Sequence, residues 1–120
     1  MSANKGPLAG IRVLDLGRHI SCPTCGMTLG DLGAEVIKVE KRGWGDDTRH
    51  SGEQYNGVNL YYPTENRNKK SVTINFRSEK GKELLHKLIE QSDVIIENFR
   101  PGTMEKMGLS WEEIHKINPR

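Results

Sequence analysis

The sequence predicts an α/β protein built on a parallel sheet, and three observations carry that reading. Short runs of strand-forming residues recur through the chain, at 11–16, 36–39, 71–76 and 94–96. Helical periodicity occupies 23–32 and 78–91, between successive strand runs. Glycine, serine and proline fall where one period gives way to the other.

Taken in order, Ile11–Leu16 follows a Pro-Leu-Ala-Gly lead-in and reads as the first strand. Pro23–Leu32 is a helix with Met27, Leu29 and Leu32 as its expected buried side and Gly33 as its stop. Val36–Val39 is a second strand, and strand, helix, strand in so short a span predicts a parallel pair. From 43 to 70 the periodicity lapses, apart from a Tyr61-Tyr62 pair suited to one short helix. A connection that long is usually functional or used against a partner. Ser71–Phe76 alternates as a third strand. Ser78 caps a helix to about Gln91, with Leu84, Leu85, Leu88 and Ile89 as its apolar stripe. Val94–Ile96 is a fourth strand, expected to be buried. Thr103–Met107 makes a short helical turn before Gly108, and Ser110-Trp111-Glu112-Glu113 is a capping box opening a last helix.

The 120 residues suit one modest domain, residues 1–120, with a single core. Hydrophobic content of 34% and a mean hydropathy of −0.67 are polar for a self-contained α/β domain, so some apolar surface is expected to be completed elsewhere. The net charge of +2 comes from interspersed charges, which demand neither nucleic acid nor a membrane surface. No run approaches a transmembrane helix and Met1–Pro7 lacks the apolar core of a secretory signal, so a cytoplasmic protein is the expectation.

In parallel sheets ligands bind beyond the carboxyl ends of the strands. The fourth strand arrives there at Glu97-Asn98-Phe99-Arg100-Pro101-Gly102, which offers an amide, an aromatic face and a fixed positive charge. The other strand ends are followed by Arg18, by Lys41 and Arg42, and by Arg77, with Lys106 beyond Arg100. Four basic exits from one sheet edge suit the oxygens of a polyphosphate, with an adenine stacked on Phe76 or Phe99. The plain alternative is a set of ordinary solvated side chains.

A dinucleotide is disfavoured, because Gly17-Arg18-His19-Ile20-Ser21-Cys22-Pro23-Thr24-Cys25-Gly26 contains no G-x-G-x-x-G, although Glu40 stands where an acid could hold a ribose. No P-loop pattern is present. Cys22-Pro23-Thr24-Cys25 has the spacing of a redox pair at a helix start, but the strand order is wrong for thioredoxin and small helix-start residues packed near a ligand explain it better. Two cysteines close no structural zinc site, His19, His50, His86 and His115 show no ligand spacing, and no metal is expected.

Four ordered stretches carry a family resemblance: PLAGIRVLDLGRHISCP, GDLGAEVIKVEKRGWGDDTR, ENRNKKSVTINFRSEKG and DVIIENFRPGTMEKMGLSWEEIHKINPR. From about Pro7 to Arg120 the chain resembles the amino-terminal part of the family III CoA-transferases, which include formyl-CoA transferase, carnitine CoA-transferase and the α-methylacyl-CoA racemases. The resemblance implies an incomplete Rossmann-like sheet with flanking helices. It implies coenzyme A or acyl-CoA as substrate, transfer of CoA between a thioester and a carboxylic acid, and a homodimer of interlocked full-length chains. Carried over by position, the coenzyme A contacts fall on Ile20, Ser21 and Lys41, on Ile74, Asn75, Phe76 and Arg77, and on Asn98, Phe99, Arg100 and Lys106.

Two departures qualify the resemblance. The segment His19-Ile20-Ser21-Cys22-Pro23 stands where the family often has a glutamine, or a small apolar pair before Gly-Pro, which leaves the acyl side open. The family's nucleophilic aspartate lies beyond the next strand, and Asp15, Asp31, Asp46, Asp47 and Asp93 do not occupy its place, so no catalytic residue is assigned. The chain is expected to be a portion of a longer enzyme, inactive by itself. A non-catalytic coenzyme A-binding or interaction module and a racemase-branch enzyme are the alternative readings.

Overall fold

A computed structural model describes residues 5–120. In chain order its elements are β1 (Arg12–Asp15), α1 (Ser21–Asp31), β2 (Glu35–Lys41), a 3-10 turn (Asp47–Arg49), β3 (Gln54–Tyr55), β4 (Val58–Asn59), α2 (Tyr61–Asn66), β5 (Lys69–Ile74), α3 (Glu79–Glu90), β6 (Val94–Ile96), α4 (Thr103–Lys106) and α5 (Trp111–Ile117). The main sheet is parallel throughout in the order β5-β2-β1-β6, with Val13 opposite both Val36 and Val94. β3 and β4 form a separate antiparallel hairpin. Among the described residues no helix is long and apolar enough to cross a membrane.

Alternation along the strands sorts side chains to two faces. Leu14, Leu16, Val39 and Ile74 meet Leu85, Ile89 and Leu109 in the larger core, under α3 and α5. Val13, Ala34 and Val36 form a smaller core on the other face, with Leu8, Ile11, Leu29 and Ile96 packed against it. Ser78 Oγ accepts the Gly81 N–H at 3.0 Å, and Ser110 Oγ accepts the Glu113 N–H at 3.3 Å, so both predicted caps form.

Several elements differ from expectation for identifiable reasons. α1 begins at Ser21, two residues before the predicted proline, which is tolerated inside the first turn where its missing N–H has no helical partner. Its buried residues are Cys22, Pro23, Gly26 and Gly30, while Leu32 is exposed and Met27 and Leu29 are half-buried. The helix thus approaches the sheet through small residues. A Cβ on Gly26 would stand 3.0 Å from Asp15 Oδ2 and 3.2 Å from Ile96 Cδ1. In α3 Leu85 and Ile89 are buried but Leu84 is exposed.

The third strand of the main sheet, β5, runs 69–74 rather than 71–76, because Asn75 turns the chain by accepting the Arg77 N–H at 3.1 Å on its side-chain oxygen. The expectation of a buried fourth strand fails. Among the described residues β6 is an edge strand paired only with β1, and Val94 is exposed.

Candidate functional site at the strand ends

After β1 the chain builds outward through β2 to β5, and then α3 carries it back across the sheet to β6 on the other side of β1. The connections on either side of β1 therefore leave in opposite directions and open a crevice at the carboxyl ends of β1 and β6. A cavity of about 840 Å3 lies there. Its wall comes from all four strand exits: Leu16 to Arg18, Val39 to Arg42, Ile74 to Arg77, and Phe99 with Thr103 and Lys106.

Of the residues selected from sequence, Lys41, Ile74, Asn75, Phe76, Arg77, Phe99 and Lys106 line this cavity. Ile20, Ser21, Asn98 and Arg100 do not. Ile20 is exposed just before α1, and Ser21 opens that helix. Arg100 is exposed, and its carbonyl accepts the Thr103 N–H at 3.0 Å. Asn98 is engaged within the protein. Its Oδ1 accepts the Arg18 N–H at 2.9 Å, and its Nδ2 donates to the Arg18 carbonyl at 2.8 Å and to Ser21 Oγ at 3.1 Å. Asn98 therefore clasps the β6 exit to the β1 exit.

The charge of the rim is set by which cations have partners. Lys41, Arg42, Arg77, Arg100 and Lys106 make no ion pair among the described residues, whereas Arg18 lies 3.5 Å from Asp47 and Arg49 is bound to Glu40. Lys41, Arg42, Arg77 and Lys106 line the cavity, and cations without ion-pair partners around a recess favour an anion.

Glu40 is not available for a ribose. It is 5% exposed, and its carboxylate accepts both Arg49 nitrogens at 2.7 and 2.8 Å, the Tyr62 hydroxyl at 2.7 Å, the Asp46 N–H at 2.9 Å and Ser71 Oγ at 3.0 Å. Burial acts to raise its pKa, but these donors outweigh burial and hold it at about 2. The same cage pushes the Tyr62 phenol up, through burial first and then the Glu40 carboxylate.

Beneath the rim lies a buried group of charges that sequence reasoning missed. Lys38 is 1% exposed; its Nζ donates to the Gly17 carbonyl at 3.0 Å and stands 2.8 Å from Asp46 Oδ2 and 3.8 Å from Asp15 Oδ2. Lys69 Nζ donates to Asp15 Oδ2 at 2.8 Å, to the Pro23 carbonyl at 2.7 Å and to Asn66 Oδ1 at 2.9 Å. Burial pushes the Lys69 pKa down, against the pull of Asp15. Burial would raise that of Asp46, but the Lys38 ammonium and the Thr48 N–H hold it low. Asp46 Oδ1 accepts the His19 N–H at 3.2 Å, the Thr48 N–H at 3.0 Å and Thr48 Oγ1 at 2.9 Å. Two ammonium and two carboxylate groups thereby tie the β1 and β2 exits together, with Asp46 itself on the cavity wall.

The Cys22 thiol sits against this group, 3.5 Å from Asp15 Oδ1, and burial together with that carboxylate pushes it up to about 12. A thiol so protonated is a poor nucleophile, the opposite of a thioredoxin-like site. Cys25 is exposed, and neither cysteine is in a disulfide. No group of three or more metal-ligating side chains gathers among the described residues.

The second missed feature is Trp44, which also lines the cavity. It stands between Gly43 and Gly45, whose φ values of 84° and 74° form the tight loop that presents it. An aromatic residue bracketed by glycines just past a strand was the available sequence signal.

The model of CoA-transferase family III matches residues 8–120. The succinyl-CoA–D-citramalate CoA-transferase of Chloroflexus aurantiacus is 50% identical over 114 residues, 94% of this chain and 28% of that enzyme. The human succinyl-CoA:glutarate CoA-transferase is 47% identical, over 97% of this chain and 27% of its own length. Among solved structures, a CaiB/BaiF family protein from Brucella suis superposes with a TM-score of 0.86 at 44% identity, covering 94% of this chain and 31% of that one. A hypothetical protein from Mycobacterium tuberculosis superposes with a TM-score of 0.87 at 42% identity, over 97% of this chain and 32% of its own. The chain thus spans less than a third of the length of these relatives.

Proposed function

The chain belongs to CoA-transferase family III, and on that premise we propose that it forms the coenzyme A-binding edge of an enzyme that moves CoA between an acyl-CoA thioester and a carboxylic acid. The observation that carries this reading is the cavity at the carboxyl ends of all four parallel strands, ringed by Lys41, Arg42, Arg77 and Lys106 without carboxylate partners among the described residues. Phosphates are held by these cations, and half-buried Phe76 and Phe99 supply apolar wall for the rest of the ligand. In this reading Ile20, Ser21, Asn98 and Arg100 act at the margin of the site, with Asn98 shaping the loops.

Covalent transfer needs a carboxylate free to attack the thioester carbon. Every aspartate here already has a cationic partner: Asp15 with Lys69, Asp31 with Arg67, Asp46 with Lys38, Asp47 with Arg18, and Asp93 with Arg120. That observation argues against these aspartates as the nucleophile and favours binding and positioning as their work. Exposed Val94 on edge strand β6, and Trp111 beside it, support a longer protein in which further chain or a second subunit covers this side.

Calorimetric titration of coenzyme A into the chain tests the reading. Lys41→Glu and Arg77→Glu should each weaken binding by about 1–3 kcal/mol, the usual size of a charge-assisted contact. Unchanged affinity in both variants overturns the site, and no binding by the parent overturns the function.

A further inference from the structure

We propose that Trp44 is the base-recognition residue of this site, a fixed indole on which the ligand's purine stacks. The inference rests on the coenzyme A reading and deepens it. Three aromatic side chains line the cavity, and they are not equivalent. Phe76 and Phe99 pack against the larger core, so much of each ring is already covered. Trp44 belongs to neither core and is 49% exposed, although its apolar area would favour burial.

Exposed as it is, the ring is held in place. Its Nε1–H donates to Asp47 Oδ1 at 2.8 Å, and the His50 imidazole stacks on it at 3.9 Å between centroids, 27° from parallel. His50 Nε2–H in turn donates to the Trp44 carbonyl at 2.8 Å. Asp47 is anchored beside Arg18 at 3.5 Å and His19 at 3.3 Å, so the indole is braced from the β1 exit as well as from its own loop. An immobilised aromatic side chain loses little freedom when a ligand stacks on it.

The surrounding charge fits a nucleotide. The Lys41 ammonium stands over the ring, 5.7 Å from its centroid, on a flexible and exposed side chain. A phosphate draws that ammonium off the indole, exposing the face to the attached base. Arg42, next to Lys41, adds a second cation at the same edge. A purine linked to phosphates satisfies the ring and its cations together, which a pantetheine arm without a base does not.

The test compares two probes on the 120-residue chain: adenosine 3′,5′-bisphosphate, which carries base and phosphates, and 4′-phosphopantetheine, which has no base. In Trp44→Leu the bisphosphate should bind about tenfold or more weakly, and phosphopantetheine as in the parent, since stacking acts only on the base. Trp44→Tyr should recover most of the loss. In a Trp111→Phe background, the bisphosphate should quench Trp44 fluorescence and phosphopantetheine should not. Equal losses for the two probes, or no loss for the bisphosphate, overturn the role of Trp44 while leaving the coenzyme A reading intact. A parent chain that binds neither probe overturns both.

Discussion

Lys38 Nζ lies 2.8 Å from Asp46 Oδ2 and donates at 3.0 Å to the Gly17 carbonyl, so one buried ammonium joins the exits of β1 and β2. Asp46 Oδ2 has no well-aligned hydrogen bond among the described residues, and its charge is balanced by that ion pair. Removing one member of such a group leaves an uncompensated charge in a dry site. Lys38→Met should therefore cost about 3–5 kcal/mol of stability by urea denaturation. A loss below 1 kcal/mol would mean that water reaches the group.

This relationship also shows where the sequence was hard to read. Along β2, Val36, Lys38 and Glu40 alternate with Ile37 and Val39, a pattern that ordinarily places the lysine and glutamate in solvent. Both are buried, because a parallel strand flanked by helices is covered on both faces and its polar positions must find partners inside. Those partners, Asp15 and Asp46 for the lysine and Arg49 for the glutamate, are scattered in sequence and meet only through the sheet register and the turn after β2. The strand ends were legible because apolar runs ending at basic residues are local. The packing face of α1 was not, since glycines carry no hydrophobic period. The edge position of β6 was not legible either, because an apolar triplet does not reveal how many neighbours its strand has.

Acid sensitivity follows from Glu40. Its pKa of about 2 lies below the ordinary 4.5, so its cage stabilises the fold above about pH 5 and that contribution is lost as pH falls toward 2. The effect should be on the order of 2–3 kcal/mol. Glu40→Gln should be less stable at pH 7 and show a flatter stability curve between pH 5 and 2, measured by chemical denaturation. An unchanged acid limb in the variant would place the titration on another group.

The two cysteines should differ in reactivity. Cys22 is buried with its thiol pushed up to about 12, and Cys25 is exposed. Iodoacetamide at pH 8 should label Cys25 alone in the native chain and both residues after unfolding, as read by peptide mass spectrometry. Rapid labelling of native Cys22 would show that the helix start opens readily.

Asn98 separates a direct ligand contact from a positioning role. Both donors of its amide hold the Arg18 carbonyl and Ser21, and its oxygen accepts the Arg18 N–H. Asn98→Asp keeps the acceptor for the Arg18 N–H but sets a carboxylate oxygen against the Arg18 carbonyl, which leaves two like dipoles facing each other across the β1 and β6 exits. Stability should drop by about 0.5–1.5 kcal/mol, the range for an ordinary hydrogen bond whose exposed partner can turn to water. Coenzyme A affinity should fall with it, because Arg18 lies on the cavity wall and moves when its peptide is released. Asn98→Ser, too short to span the gap, should behave similarly without adding charge. If either variant lost affinity at unchanged stability, the amide would be touching the ligand itself, and the clasp between the two strand exits would be incidental to binding.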